Sequence, residues 1–249
     1  MSAPEGSSEP QVRVFPDPES LARHAARALA GEIRDAVSSR GECVLAVPGG
    51  STPQEALELL AGEGGVDWSR TVVLPGDERM VPLSDPDSNE AMLRRALVDR
   101  IQGDRPLVLG WGIEPGLGPE TVSQRFEARL LGVVPYVEGR LQLDILALGM
   151  GADGHTASLF PGHSYPAEAV VLATQHPDGQ RRLSLGPLIL RWARRTHFLI
   201  GGEAKAGALA EVVRGPYDPD ALPAQLVARN APCEIWCDAA AAAQLGPPG

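Results

Sequence analysis

Leu143-Asp-Ile-Leu-Ala-Leu-Gly-Met-Gly-Ala-Asp-Gly-His-Thr-Ala-Ser-Leu-Phe-Pro-Gly162 sets the terms on which the rest of the chain is read. An apolar run of this length closed by glycine predicts a buried strand. The glycines at 149 and 151 let the backbone bend sharply, and Gly154 allows close approach to whatever lies beside Asp153 and His155. An imidazole is the side chain best suited to exchange a proton near neutral pH. A carboxylate and an imidazole just beyond a buried strand therefore make a candidate proton-transfer site.

Working outward, strand-like and helix-like segments alternate over most of the 249 residues. Strands are expected at 11–15, 43–47, 71–74, 106–109, 143–148, 170–173, 182–185, 196–200 and 233–237. Helices are expected at 17–38, from the 48–53 turn to about 60, 89–101, 119–131, 203–213 and 238–245. Such alternation predicts an α/β fold: an open, mainly parallel sheet with helices on both faces. No repeat or composition break divides the chain. One domain over 11–245 is expected, with a disordered N-terminal arm at 1–10 and a frayed C-terminus at 246–249.

Composition narrows the function classes. Apolar residues make up 43% of the chain, and no apolar run approaches the ~20 residues needed to cross a bilayer. Met1 to Pro10 has no signal-like hydrophobic segment. Cys43, Cys233 and Cys237 form no close pair; four residues of strand separate the last two by roughly 13 Å, too far for a disulfide. Free thiols and the lack of targeting signals predict a cytoplasmic protein with no membrane partner. The formal charge of −10 disfavours nucleic acid, whereas a small anion needs only a few focused cations. The expected size is a monomer or small homo-oligomer.

In open α/β sheets, ligands bind beyond the carboxyl ends of the strands. Each unusual motif follows a strand. Gly49-Gly50-Ser51-Thr52-Pro53 leads into a helix, exposing backbone N–H groups and hydroxyls to an anion. Taken alone it is equally an ordinary capped turn, and no Walker motif follows. Asp77-Glu-Arg79 reads as a turn, in which one acid positions Arg79 or the substrate; Ser88 reads as a cap with Asn89 beginning a helix. Gly201-Gly-Glu-Ala-Lys205 carries the only lysine beside 21 arginines. Arg79, Lys205 and either Arg181 or Arg182 make a candidate phosphate pocket. An isolated Asp-Gly-His reads as a cap with a loop histidine; the convergence of four turns favours chemistry instead. His24 reads as solvated, while His176 and His197 are weaker candidates, and His163 stays open. No metal-ligand spacing is present and no cofactor is expected.

Gly49-Gly-Ser-Thr-Pro53, Asp77-Glu-Arg-Met-Val-Pro82, Ser88-Asn89 and Leu148 to Gly162 together resemble the 6-phosphogluconolactonases, over about residues 12–240. Gly201 to Lys205 and Arg182-Leu-Ser-Leu fit the same pattern. Pro75-Gly76 departs from it, since a large aromatic is common before Asp77. The resemblance implies hydrolysis of a sugar-phosphate lactone, 6-phospho-D-glucono-1,5-lactone, in the pentose phosphate pathway. His155 would shuttle the proton and Asp153 would orient it. Gly49, Gly50, Ser51, Thr52, Asp77, Arg79, Arg182 and Lys205 would bind substrate. The related glucosamine-6-phosphate isomerase/deaminases carry a catalytic Glu where this chain has Phe160, and Asp-Glu-Tyr where it has Asp77-Glu78-Arg79. A non-catalytic sugar-phosphate-binding domain is a third alternative, expected to come with a DNA-binding segment.

Overall fold

The computed structural model describes residues 10–230 and 232–246; the expected arm (1–10) and frayed end (246–249) lie outside these except for Pro10, which is buried, and Gly246. In chain order the first elements are β1 (Gln11–Phe15), α1 (Pro18–Arg40), β2 (Cys43–Val47), α2 (Ser51–Leu60), β3 (Thr71–Pro75), β4 (Asp77–Arg79), α3 (Asn89–Ala96) and β5 (Leu107–Val108). There follow α4 (Pro119–Leu131), β6 (Tyr136–Val137), β7 (Arg140–Leu141), β8 (Ile145–Leu148), β9 (Val171–Gln175), β10 (Arg181–Leu185) and α5 (Pro187–Leu190). The chain closes with β11 (Arg195–Ile200), α6 (Ala206–Arg214), α7 (Gln225–Ala228) and β12 (Cys233–Asp238).

Seven strands form one sheet in the order β1-β12-β11-β8-β2-β3-β5, and every neighbouring pair is parallel. The expected α/β architecture is therefore present. Its central strands β2 and β8 read as continuous apolar runs because both faces are covered. Cys43, Leu45 and Val47 of β2 pack with α1, α2 and α3, while Val44 and Ala46 face the core built by α4, α6 and α7. The same alternation sends Ile145 and Ala147 to one face and Leu146 and Leu148 to the other. Asp144 is the charge inside the apolar run. It is buried, accepts the Val44 N–H at 2.8 Å and pairs with Arg40 at 2.6 Å, fixing the start of β8 against β2.

The winding decides where a ligand can sit. From β2 the chain moves outward through β3 to β5, then crosses back to lay β8 on the other side of β2. That reversal opens a crevice between the carboxyl ends of β2 and β8. The Gly49-Gly50 and Gly149–Gly151 loops begin there.

Several expectations need correction. Asp77-Glu-Arg79 is a strand, not a turn: it pairs antiparallel with β10, which pairs with β9, giving a second three-stranded sheet. Its partner lies a hundred residues downstream, so no local pattern announces the ladder. Residues 239–244 form turns rather than the expected last helix; the alanine-rich stretch is too short to sustain a helix alone. The expected helix at 89–101 stops at Ala96 before a short 3-10 turn, and 203–205 is 3-10 ahead of α6. The β6–β7 hairpin, α5 and α7 are additional to the expected elements.

Candidate active site

The crevice is a cleft of about 390 Å³. Every residue expected to bind substrate lines it: Gly49, Gly50, Ser51, Thr52, Asp77, Arg79, Arg182 and Lys205, together with His155. Three groups of contacts build it.

The first is the acid–base loop after β8. His155 Nδ1 lies 2.6 Å from Asp153 Oδ1, which also accepts the His155 backbone N–H at 3.1 Å. This ties up Nδ1 and leaves Nε2 for a reacting group. Burial alone would raise the Asp153 pKa, but the His155 charge and hydrogen bonds prevail and lower it. Gly151 is required here, because any Cβ would overlap both the imidazole and the carboxylate. Beyond His155, Ala157 holds a left-handed φ of 47°, and Phe160 packs its buried ring 5.1 Å from the imidazole.

The second group is the small sheet. In its register Arg79 faces Arg182, so two guanidinium groups sit on one face toward the cleft. Arg79 Nη1 donates to the Asn89 Oδ1 at 2.7 Å and the Asp87 carbonyl at 2.8 Å. Arg182 Nε is buried without a hydrogen-bond partner among the described residues. Burial and then the charge of Arg79 push the Arg182 pKa down. Two cations placed together, one with an unused donor, are a site prepared for an anion. Asp77 does not reach outward for one; its Oδ2 accepts from Ser158 Oγ at 2.7 Å and its carbonyl from Asn89 Nδ2 at 2.8 Å.

The third group is a pair of glycine turns. Gly50 (φ 102°) precedes α2 with no side-chain cap, so the first N–H groups of that helix are free for a ligand. Gly201 packs so closely on Thr52 that a Cβ would lie 2.8 Å from its Oγ1. Lys205 enters the cleft from the same turn.

A sequence profile of the glucosamine-6-phosphate isomerases/6-phosphogluconolactonase family matches residues 16–236. The chain belongs to that family. A 6-phosphogluconolactonase of Synechocystis sp. is 34% identical over 226 residues, which span 88% of this chain and 91% of that protein. The crystal structure of a 6-phosphogluconolactonase from Shewanella baltica superposes with a TM-score of 0.82 at 27% identity, covering 94% of this chain and 100% of that one. The 6-phosphogluconolactonase from Trypanosoma brucei gives 0.83 at 25% identity, with 96% and 100% covered.

Within this isomerase/lactonase family fold, the alternatives left open by the sequence resolve by position. Arg182 lines the cleft and Arg181 is exposed outside it. His163 is exposed, with Nδ1 3.2 Å from the Pro161 carbonyl, and does not line the cleft. His24, expected to be solvated, is half-buried between Phe15 and Trp236 at 4.6 and 5.0 Å. His197 is buried, stacked on Trp236 and hydrogen-bonded to Glu32 at 2.9 Å.

Four residues that the sequence reading left outside the expected set of site residues shape the site. Asn89 is more than the first residue after a cap, for it holds Arg79 and Asp77 together. Glu78 takes up the N–H groups of Arg79, Asn89 and Glu90 and the Ser88 hydroxyl, and so fastens α3 to β4. Burial raises its pKa despite those bonds. Asp238, buried at the end of β12, accepts from Gly202 N at 2.9 Å and Ala241 N at 2.7 Å, fixing the turn that carries Lys205. His176 lines the cleft. For Asp238 the available signal was a carboxylate ending an apolar strand, the same signal that marked the other turns.

Among the described residues, no helix is long and apolar enough to cross a membrane.

Proposed function

We propose that this protein hydrolyses 6-phospho-D-glucono-1,5-lactone to 6-phosphogluconate, an oxidative pentose phosphate pathway step. One observation carries the reading: His155, tethered to Asp153, and three cations line a single cleft at the sheet's switch point. Arg79, Arg182 and Lys205 hold the phosphate, and that anchor sets the lactone carbonyl beside His155. A lactone carbonyl is already electrophilic, so an aimed water and a proton relay suffice.

His155 Nε2 removes a proton from water as the oxygen bonds to C1. The carbonyl electrons move onto oxygen, and backbone N–H groups of the glycine turns stabilise that charge. Collapse re-forms the carbonyl and breaks the bond from C1 to the ring oxygen. The ring oxygen takes the proton back from His155, and the new carboxylic acid releases its own to solvent. Asp153 keeps the imidazole oriented and supports its charged form.

Phe160 favours this reaction over amino-sugar isomerisation, because an apolar ring stands where the resembling deaminases place a carboxylate. A cytoplasmic location, supported by three buried free thiols, and a monomer or small homo-oligomer complete the proposal. The test is lactone hydrolysis measured on fresh substrate and corrected for the spontaneous rate. His155→Ala is expected to lower kcat by about 10²–10⁴; turnover near the unmodified level refutes the assignment, and ammonia release from glucosamine 6-phosphate would favour the deaminase.

A further inference from the structure

The small sheet extends its cationic face one row further than the two arginines. Across an antiparallel sheet, directly paired residues share a face, and so do residues two apart on a strand. Arg79 pairs with Arg182, and Arg182 pairs with Thr174. His176 lies two residues beyond Thr174, and its N–H donates to the Gln180 carbonyl at 2.9 Å, continuing the ladder. His176 therefore belongs to the face of Arg79 and Arg182, diagonal to Arg182, and it lines the same cleft.

Its ring is held from two sides. Nδ1 lies 2.9 Å from Asp178 Oδ1, and Phe160 meets the ring edge-on at 4.9 Å. The other face of that geometry is shared with His155, whose ring is 5.1 Å from Phe160. Asp178 itself is fixed by the Gln180 N–H, which it accepts at 2.8 Å. With Nδ1–H given to the Asp178 carboxylate, Nε2 is the nitrogen left to a ligand, and it donates there when the ring holds both protons, in contrast to His155, whose Nε2 accepts a proton in the reaction above. Nothing in the reaction described above uses it.

We propose that His176 is a substrate-binding residue, donating from Nε2 to an anionic oxygen of the phosphate held by Arg79 and Arg182, with Asp178 as its positioning residue. This rests on the lactonase reading for its substrate, but not for its binding test. Replacing His176 by Gln removes the ring while retaining a polar side chain. Loss of one charge-assisted hydrogen bond predicts a KM for the lactone raised about 10- to 100-fold with kcat within about twofold. Asp178→Asn should shift KM in the same direction by less, and add nothing in the H176Q background. His163→Gln, at an exposed histidine outside the cleft, is the matched control.

Binding of inorganic phosphate and of 6-phosphogluconate, followed calorimetrically, separates the two readings. Both are expected to weaken in H176Q, whereas binding of unphosphorylated gluconate stays as in the unmodified protein. If gluconate weakens equally, the histidine contacts the sugar and the phosphate assignment is overturned. If kcat falls while KM holds, its role is proton transfer, and the proposal fails likewise. Unchanged KM and unchanged phosphate binding also overturn it. An unmodified protein that binds phosphate through His176 yet leaves the lactone intact would refute the lactonase reading alone. A thermal melt matching the unmodified protein certifies that H176Q is folded.

Discussion

Gly49 tests how the phosphate anchor is held. Its backbone would tolerate a side chain, but a Cβ would lie 2.7 Å from Asn89 Cγ and 3.0 Å from Nδ2, and would overlap Oδ1. Asn89 is buried at 3% exposure and cannot swing out without losing its partners. Those partners are the Arg79 guanidinium at 2.7 Å, the Asp77 carbonyl at 2.8 Å and, longer, the Asp77 carboxylate at 3.3 Å. Gly49→Ala therefore breaks the bond to the Arg79 charge, about 1.5–3 kcal/mol, and the neutral bond to the Asp77 carbonyl, about 0.5–1.5 kcal/mol, along with the long contact to the Asp77 carboxylate. The first loss should appear in substrate affinity, because Arg79 is left anchored only through Asp87. Expressed there in full, it raises KM roughly 10- to 100-fold. The neutral bond should appear as lost stability in urea. A cycle with Asn89→Gly gives the sharper result. Once the amide is gone, the new methyl has nothing to displace, so the double variant should be no worse than N89G. Additive losses, or a normal KM in G49A, would mean that the Asn89 bridge does not hold Arg79.

Other consequences follow from the same contacts. Asp238→Ala removes the acceptor of two backbone N–H groups; it should cost about 2–4 kcal/mol in urea unfolding and raise KM through Lys205, and a stability loss with unchanged KM would disconnect that turn from the substrate. Glu78 has a pKa raised by burial, so its contribution to stability is full below its unfolded value near pH 4 and declines as pH rises through the folded value. Glu78→Gln should flatten that decline above about pH 4, and an identical pH slope in urea midpoints would rule the assignment out. Burial raises all three thiol pKa values, that of Cys237 to about 11. A chromogenic thiol reagent at pH 8 should label none in the native protein and three after denaturation; rapid native labelling of any one contradicts the packing. Gly154 has φ 81°, and a Cβ there would lie 2.5 Å from Leu222 Cδ2. Gly154→Ala should lower thermal stability by about 1–3 kcal/mol, and an unchanged melt would show that the loop relaxes freely.

The large sheet was legible because its strands carry their signal locally. Val44 and Leu45 are apolar on both sides, and glycines close β2 and β8 where the winding reverses. The acid–base pair was legible for the same reason: Asp153 and His155 are two residues apart, and one short turn brings them together. Of the small sheet, β9 and β10 were legible as strands and β4 was not. Asp77-Glu-Arg79 has no alternation of apolar and polar residues, and it becomes a strand only because β10 arrives to pair with it. Missing that ladder hid its consequences, since the facing of Arg79 on Arg182 and the place of His176 beside them depend on register. Asn89 and Asp238 were obscured differently. Both are polar residues at element ends, where capping is the commonest role. Their link to the cleft runs through Arg79 and Lys205, each supplied by another segment.

The Ser158 loop stitches the two sheets together. Its hydroxyl donates to Asp77, its N–H to the Ser184 hydroxyl, and its carbonyl accepts from Thr174. One residue three places from His155 thus touches all three strands of the small sheet. His155 hangs from the large sheet and the paired guanidinium groups of Arg79 and Arg182 from the small one, so this seam sets the span between them. In the proposed reaction a ruler of that kind would fix substrate length: a sugar one carbon shorter, with its phosphate held by Arg79 and Arg182, would leave its carbonyl short of His155.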